Sequence, residues 1–66
     1  MEIKYPNITV KLTDTDGNAF AIIGAVRRAL KRADVDPVKI AEFSEQANSG
    51  DYDNVIQTAM RWVNVT

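Results

Sequence analysis

An alternating strand pattern in this 66-residue chain leads into a turn and then into a helix pattern over residues 13–23. In this stretch, Thr13-Asp14-Thr15-Asp16-Gly17-Asn18-Ala19-Phe20-Ala21-Ile22-Ile23, the spacing of apolar residues changes from two to about 3.6. Short polar side chains cap the starts of helices, and both Asp16 and Asn18 are placed to do so. The junction therefore predicts a strand followed directly by a helix, with either residue as the cap.

The strand before this junction is predicted over Ile8–Thr13. Apolar and polar residues alternate there, which places Ile8, Val10 and Leu12 on one face of the strand. Tyr5-Pro6-Asn7 precedes it and is typical of a sheet edge or an initial turn, because proline has no backbone N–H to donate.

The helix after the junction is predicted over Ala19–Ala33, because its apolar residues fall within one arc of a helical wheel. The cationic residues Arg28, Lys31 and Arg32 lie opposite that arc, and Phe20 lies at its border. We expect the arc to face the core; its members are Ala19, Ile22, Ile23, Val26, Ala29, Leu30 and Ala33.

A second face of this helix carries small residues. Gly24 in the middle of a helix costs roughly 1 kcal/mol relative to alanine, so its presence indicates a close approach by another group. With Ala21, Ala25 and Arg28 it forms a face separate from the apolar arc. Packing of another helix of the same fold is the favoured explanation, with a ligand or a second subunit as the alternatives.

Asp36 and Pro37 predict the start of a second helix, because aspartate caps helices and proline needs no hydrogen-bond partner at the first helical position. The helix is predicted to end near Asn48, and Gly50 suits the left-handed position that often follows a helix. Its predicted buried residues are Ile40, Phe43 and Ala47.

Asp51 is expected to cap a third helix, and the charge of Asp53 favours the positive end of the helix dipole. One side of this helix carries Tyr52, Val55, Ile56, Ala59 and Val63. The other side carries Asn54, Gln57, Thr58 and Arg61.

The last five residues, Trp62-Val63-Asn64-Val65-Thr66, fit either the end of that helix or a strand. We favour a strand that begins near Trp62 and pairs with the first one. The predicted fold is a single α+β domain over residues 1–66, of order β-α-α-α-β, with three helices on a small two-stranded sheet. Because such a sheet is weak alone, helix packing must supply most of the stability.

Composition narrows the range of functions. The chain has no histidine and no cysteine, which removes histidine bases, thiolate chemistry and the common zinc sites. Its net charge of −1 disfavours nucleic-acid binding, which usually accompanies a clear basic excess. No apolar run approaches the roughly 20 residues of a membrane span. We therefore expect a cytoplasmic, non-enzymatic protein without cofactor, metal or membrane contact.

Three blocks of the sequence resemble a family of very short proteins. They are Thr15-Asp16-Gly17-Asn18-Ala19-Phe20-Ala21-Ile22, then Ser49-Gly50-Asp51-Tyr52-Asp53, then Met60-Arg61-Trp62-Val63. The family is encoded in bacterial, plasmid and phage genomes, and the similarity covers nearly the whole chain. The resemblance implies a stand-alone domain of this length, often carried on mobile elements. It implies no particular activity and no functional residues.

Two groups of residues are candidates for binding an anion. The turn Asp16-Gly17-Asn18 lies at a helix start, where backbone N–H groups and the dipole favour anions, although its main role is expected to be turn geometry. The basic cluster Arg27-Arg28-Lys31-Arg32 can contact phosphates of a nucleic acid or a nucleotide. Its alternative role is to balance the negative end of the helix dipole and to keep the surface soluble.

Three further residues near the C-terminus have side chains of the types that dominate protein interfaces, namely Tyr52, Arg61 and Trp62. Trp62 is expected to anchor the core instead, whereas Tyr52 and Arg61 stay candidates for partner contact. The predicted function is a small binding or interaction module with an unknown protein partner, of a regulatory or counter-defence kind. The alternative is a homo-oligomer that binds or sequesters a nucleotide or phosphate.

Overall fold

The computed structural model describes residues 2–12 and 17–66. In chain order the elements are β1 (Tyr5–Val10), α1 (Ala19–Arg32), α2 (Pro37–Ala47), α3 (Tyr52–Trp62) and β2 (Val63–Val65). This confirms the predicted α+β fold of order β-α-α-α-β. The three helices pack against one another, while α1 also contacts β1 and α3 also contacts β2.

The first strand lies earlier in the chain than predicted. It spans Tyr5–Val10 rather than Ile8–Thr13, and Thr13 lies outside the described residues. Tyr5 pairs with Val63 and Thr9 pairs with Asn64, so the three residues between them bulge away from β2. Pro6 fits inside the strand because a bulged residue needs no N–H for the ladder.

β1 and β2 run parallel and form the two-stranded sheet. Parallel neighbours need a long crossover connection, which the three helices supply here. The side chain of Asn64 reaches into the bulge and donates a hydrogen bond to the Pro6 carbonyl oxygen at 3.0 Å. At the other end, the Leu12 N–H donates to the Thr66 carbonyl oxygen at 3.1 Å.

Each helix begins with a side-chain cap. Asn18 accepts a hydrogen bond from the Ala21 N–H at 2.8 Å and is the cap of α1, whereas Asp16 lies outside the described residues. Asp36 caps α2 and Asp51 caps α3, as predicted. The first two helices each end one residue before the predicted bound, so that Ala33 is the exposed C-cap of α1.

The prediction of a left-handed Gly50 was wrong. Among the described residues, positive φ values occur only at Gly17 and at Asp34, which follows α1 with φ 62°. Gly50 is instead exposed and lies against one side chain, because a Cβ atom there would lie 2.9 Å from the Cβ of Asn54. The side chain of Asn54 in turn donates to the Gln46 carbonyl oxygen at 2.8 Å, which joins the start of α3 to the end of α2.

Trp62 is a core residue, as predicted, with only 2% of its surface exposed. Its ring packs edge-on against Phe43, with 5.5 Å between ring centroids, and its Nε1–H donates to Gln46 Oε1 at 2.9 Å. The remaining buried apolar side chains come from β1, β2 and all three helices. They are Val10, Ile22, Ile23, Val26, Leu30, Ala47, Val55, Ala59 and Val63.

Thr58 was placed on the polar side of the third helix, but it is fully buried. The helix contacts α1, α2 and β2 at the same time, so more than one stripe of its surface faces the core. The Thr58 hydroxyl oxygen accepts a hydrogen bond from Arg61 Nη2 at 3.2 Å. None of the described helices has the length and apolar character that crossing a membrane requires.

Candidate functional site

The strongest charge feature is the basic face of α1, which consists of Arg27, Arg28, Lys31 and Arg32. All four side chains are exposed, and α1 contains no acidic residue. Within the described part of the chain, the single ion pair joins Lys39 to Glu42 on α2 at 3.2 Å. The basic face therefore has no carboxylate partner among the described residues. Since the whole chain carries −1 and α1 carries +4, the remainder carries −5.

A surface groove runs beside this face, between α1 and the first half of α2. Two adjoining hollows of about 430 and 280 Å³ form it, and we call them together the α1–α2 groove. Arg27, Lys31 and Ile40 line both hollows, so cations lie along a partly apolar floor. The other lining residues are Gly24, Arg28, Asp34, Val35, Pro37 and Ala41.

Gly24 opens into this groove instead of packing against another helix, which overturns the explanation favoured from the sequence. A Cβ atom added at Gly24 would meet a single group of the described residues within 4 Å, the Arg28 Nη1 at 3.5 Å. The fold itself therefore gives no reason for a glycine at this position. The two alternatives for Gly24, a ligand or a second subunit, stay predictions.

The turn before α1 has a structural role in its described part. Gly17 adopts φ 81°, a conformation that favours glycine, and the Asn18 side chain already accepts the Ala21 N–H. The Gly17 carbonyl oxygen accepts a hydrogen bond from the Tyr52 hydroxyl. The predicted anion contact at Asp16, Gly17 and Asn18 gains no support from this arrangement, and Asp16 lies outside the described residues.

Tyr52 and Arg61 lie apart from the α1–α2 groove. The Tyr52 hydroxyl joins the start of α3 to the turn before α1, while about half of the residue (48%) stays exposed. Arg61 is exposed and borders a separate hollow of about 280 Å³ with Ile3 and Met60. The structure thus brings the cationic candidates together and leaves these two residues at other places.

Two exposed apolar side chains were missed as candidates. Phe20 is 84% exposed, although the wheel placed it at the border of the buried arc, and Val38 on α2 is 68% exposed. Phe20 shares one arc of about 100° on α1 with Gly24, Arg28 and Lys31. A helical wheel read around the cations of α1, rather than around its apolar residues, would have identified Phe20 as part of this face.

The exposed face of α2 carries two glutamates, Glu42 and Glu45, beside Val38. We call these three residues the acidic face of α2. Their spacing of four and then three residues places them on one side of the helix. Val38 and Glu45 are exposed, and the Glu42 side chain keeps 43% of its surface in solvent. Sequence reasoning considered only the buried face of α2, so it did not single out these residues.

Comparison with protein-family models, curated proteins and solved structures gave no match to this chain. The resemblance to short bacterial, plasmid and phage proteins therefore stays a prediction.

Proposed function

We propose that this chain is a non-enzymatic interaction module that binds an acidic surface of a protein partner through the basic face of α1. The observation that carries this proposal is a set of four exposed cations on one helix with no carboxylate partner among the described residues. Long-range attraction from such a face raises the rate of encounter with an acidic partner. The regulatory or counter-defence role and the cytoplasmic location belong to this same proposal.

The apolar floor of the α1–α2 groove supports a protein partner. Protein interfaces combine an apolar centre with a polar rim, and arginine is enriched in them. Ile40 and Val35 supply such a centre beside Arg27 and Lys31. The exposed Phe20 lies one turn before Gly24 on the same side of α1, and large aromatic side chains commonly dominate binding energy.

Nucleotide sequestration is the second candidate, favoured by the two cations that line the larger hollow, Arg27 and Lys31. Its volume of about 430 Å³ lies within the range of about 300–1,000 Å³ that is typical of small-molecule sites. Arg27 and Lys31 would face the phosphates, and the apolar floor would contact the base. Polynucleotides are weaker candidates, because the chain as a whole is slightly acidic.

Capture from bacterial extracts followed by reconstitution with the purified partner tests the proposal. We expect R28E/K31E to weaken partner binding at least tenfold, about 1.4 kcal/mol, because exposed ion pairs contribute about 0.2–1 kcal/mol each and their reversal adds repulsion. The control K11E/Q57E/T66E changes three exposed residues outside α1 and has the same net charge, so it should bind like the wild type. Equal binding by R28E/K31E would refute a role for the basic face.

The nucleotide alternative needs a separate titration. Calorimetry with nucleoside mono-, di- and triphosphates, and with inorganic triphosphate, measures binding to the purified chain directly. Saturable binding of a nucleotide that R28E/K31E abolishes would favour sequestration. Absence of both heat and a shift in Tm with every one of these compounds would remove that candidate.

A further inference from the structure

The acidic face of α2 and the basic face of α1 border the same groove. Ala41 lines the groove, and Glu45, Val38 and Glu42 follow it around the α2 surface within about 100°. The cations of α1 lie across the groove from Ala41. One side of the molecule therefore presents, in order, the basic face of α1, a partly apolar groove and the two glutamates of α2, of which Glu42 is paired with Lys39.

We infer that a second copy of this chain covers the α1–α2 groove, with the acidic face of α2 from each copy against the basic face of α1 from the other. A two-fold axis through the groove produces this exchange, and such an interface closes on itself with two copies. The opposite arrangement, α1 against α1, would bring together two sets of four cations. The charge pattern thus selects the exchanged pairing.

Apolar contacts must supply part of the binding energy, because exposed ion pairs alone contribute little. Val38 on α2 and Phe20 on α1 are the two most exposed large apolar side chains among the described residues. Val38 lies beside Glu42, whereas Phe20 lies on the same side of α1 as Arg28 but about two turns before it. The missing side chain at Gly24 leaves room for a partner helix to approach the α1 backbone. This gives the glycine a function that packing within one copy does not provide.

The available surface is large enough for a dimer of ordinary size. A standard interface buries about 800 Å² on each partner, which is just under a fifth of the 4463 Å² surface of this chain. The inference goes beyond the proposed function, because self-association is measured with no other partner present. Its failure would leave the binding of an acidic protein untouched.

Sedimentation velocity with a charge-swapped pair tests the inference. We expect the wild type to change from 7.3 kDa to twice that mass between about 1 µM and about 1 mM. R28E/K31E and E42K/E45K should each stay monomeric at least tenfold higher in concentration, since each places like charges in both contacts. Their equimolar mixture should form a heterodimer, because both contacts then join unlike charges.

A matched control separates specific pairing from attraction between oppositely charged proteins. K11E/Q57E/T66E has the same net charge as R28E/K31E but keeps the basic α1. One of its two contacts with E42K/E45K then joins like charges, so it should pair with that variant at least tenfold more weakly than R28E/K31E does. Circular dichroism checks that all three variants fold. The wild-type dimer should also weaken at about 1 M salt, where the screening length falls to about 3 Å.

Three results would overturn the inference. A wild type that stays monomeric over the whole concentration range excludes a second copy as the occupant. A wild-type dimer that both swapped variants retain lies on another face of the molecule. A mixture of the swapped variants that forms no heterodimer, or a control that pairs equally well, shows that the α1–α2 charges do not direct the contact.

Discussion

Substitution by alanine is expected to have opposite effects on the stability of the fold at Gly50 and at Gly24. At Gly50 an added Cβ would lie 2.9 Å from the Cβ of Asn54 and 3.1 Å from its Cγ. At Gly24 the nearest group is the end of the flexible Arg28 side chain at 3.5 Å, an ordinary contact distance. We therefore expect Gly50→Ala to destabilise the fold and Gly24→Ala to stabilise it.

The magnitude at Gly50 follows from what Asn54 holds in place. Its side-chain amide donates to the Gln46 and Ala47 carbonyl oxygens, at 2.8 and 3.3 Å, and closes the end of α2. Overpacking costs about 1–3 kcal/mol, and a weakened hydrogen bond adds about 1 kcal/mol. The lower entropy of the unfolded alanine chain offsets about 0.4–1 kcal/mol. The net loss is about 1–4 kcal/mol.

Thermal unfolding followed by circular dichroism measures both changes. In a chain of this size 1 kcal/mol shifts Tm by about 4–8 °C, so Gly50→Ala should lower Tm by at least about 4 °C. Gly24→Ala should raise Tm by a similar amount, because alanine is favoured over glycine by about 1 kcal/mol in a helix interior. The reasoning is refuted if Gly50→Ala is neutral or stabilising, or if Gly24→Ala destabilises the isolated chain at low concentration.

Three further predictions concern the core and the groove. Trp62→Ala should lower the free energy of unfolding in urea by about 3–5 kcal/mol and leave little folded protein. Met60 lies on the same helix but is half exposed, so Met60→Ala should stay within about 0.5 kcal/mol of the wild type. Similar losses for both variants would contradict a core role for Trp62. Ser44→Ala should stabilise the fold by about 1 kcal/mol in the same assay, because the buried Ser44 hydroxyl has no hydrogen-bond partner among the described residues; a destabilised variant would mean that the hydroxyl is satisfied. Gly24→Leu should keep the fold and weaken self-association at least tenfold by sedimentation, since its side chain fills the groove; an unchanged dimer would place the contact elsewhere.

The fold was predictable because local signals and packing agree along most of the chain. Capping residues such as Asp36 and Asp51 stand directly before helix patterns, and Trp62 lies where a helix changes to extended chain. The start of β1 was not predictable, since it depends on a bulge that forms only against β2. Thr58 is likewise buried because α3 contacts α1, α2 and β2 at once. The spacing of apolar residues within α3 alone does not show how many neighbours surround the helix.

The candidate site was only partly predictable, because sequence patterns report residue types more directly than exposure. The cations of α1 were identified from their positions on the wheel, and the structure confirms that they are exposed. The neighbouring groove, the exposed Val38 and the acidic face of α2 depend on how α1 and α2 meet. The two glycines show the same limit. The sequence predicted a left-handed conformation for Gly50 and a helix contact for Gly24, and only the surroundings of each residue could test these predictions.

Self-association and partner binding compete for one surface if both use the basic face of α1. A ligand that binds only the monomer must draw it from the dimer, so its apparent affinity falls as the concentration of this chain rises above the dimer dissociation constant. The charges of α2 then act as an internal substitute for the acidic partner. Because the attraction is between exposed groups, a partner with more carboxylates or a larger apolar centre than α2 displaces the second copy. Lys39 is paired to Glu42, so α2 would offer fewer free carboxylates to the basic face than a strongly acidic partner would.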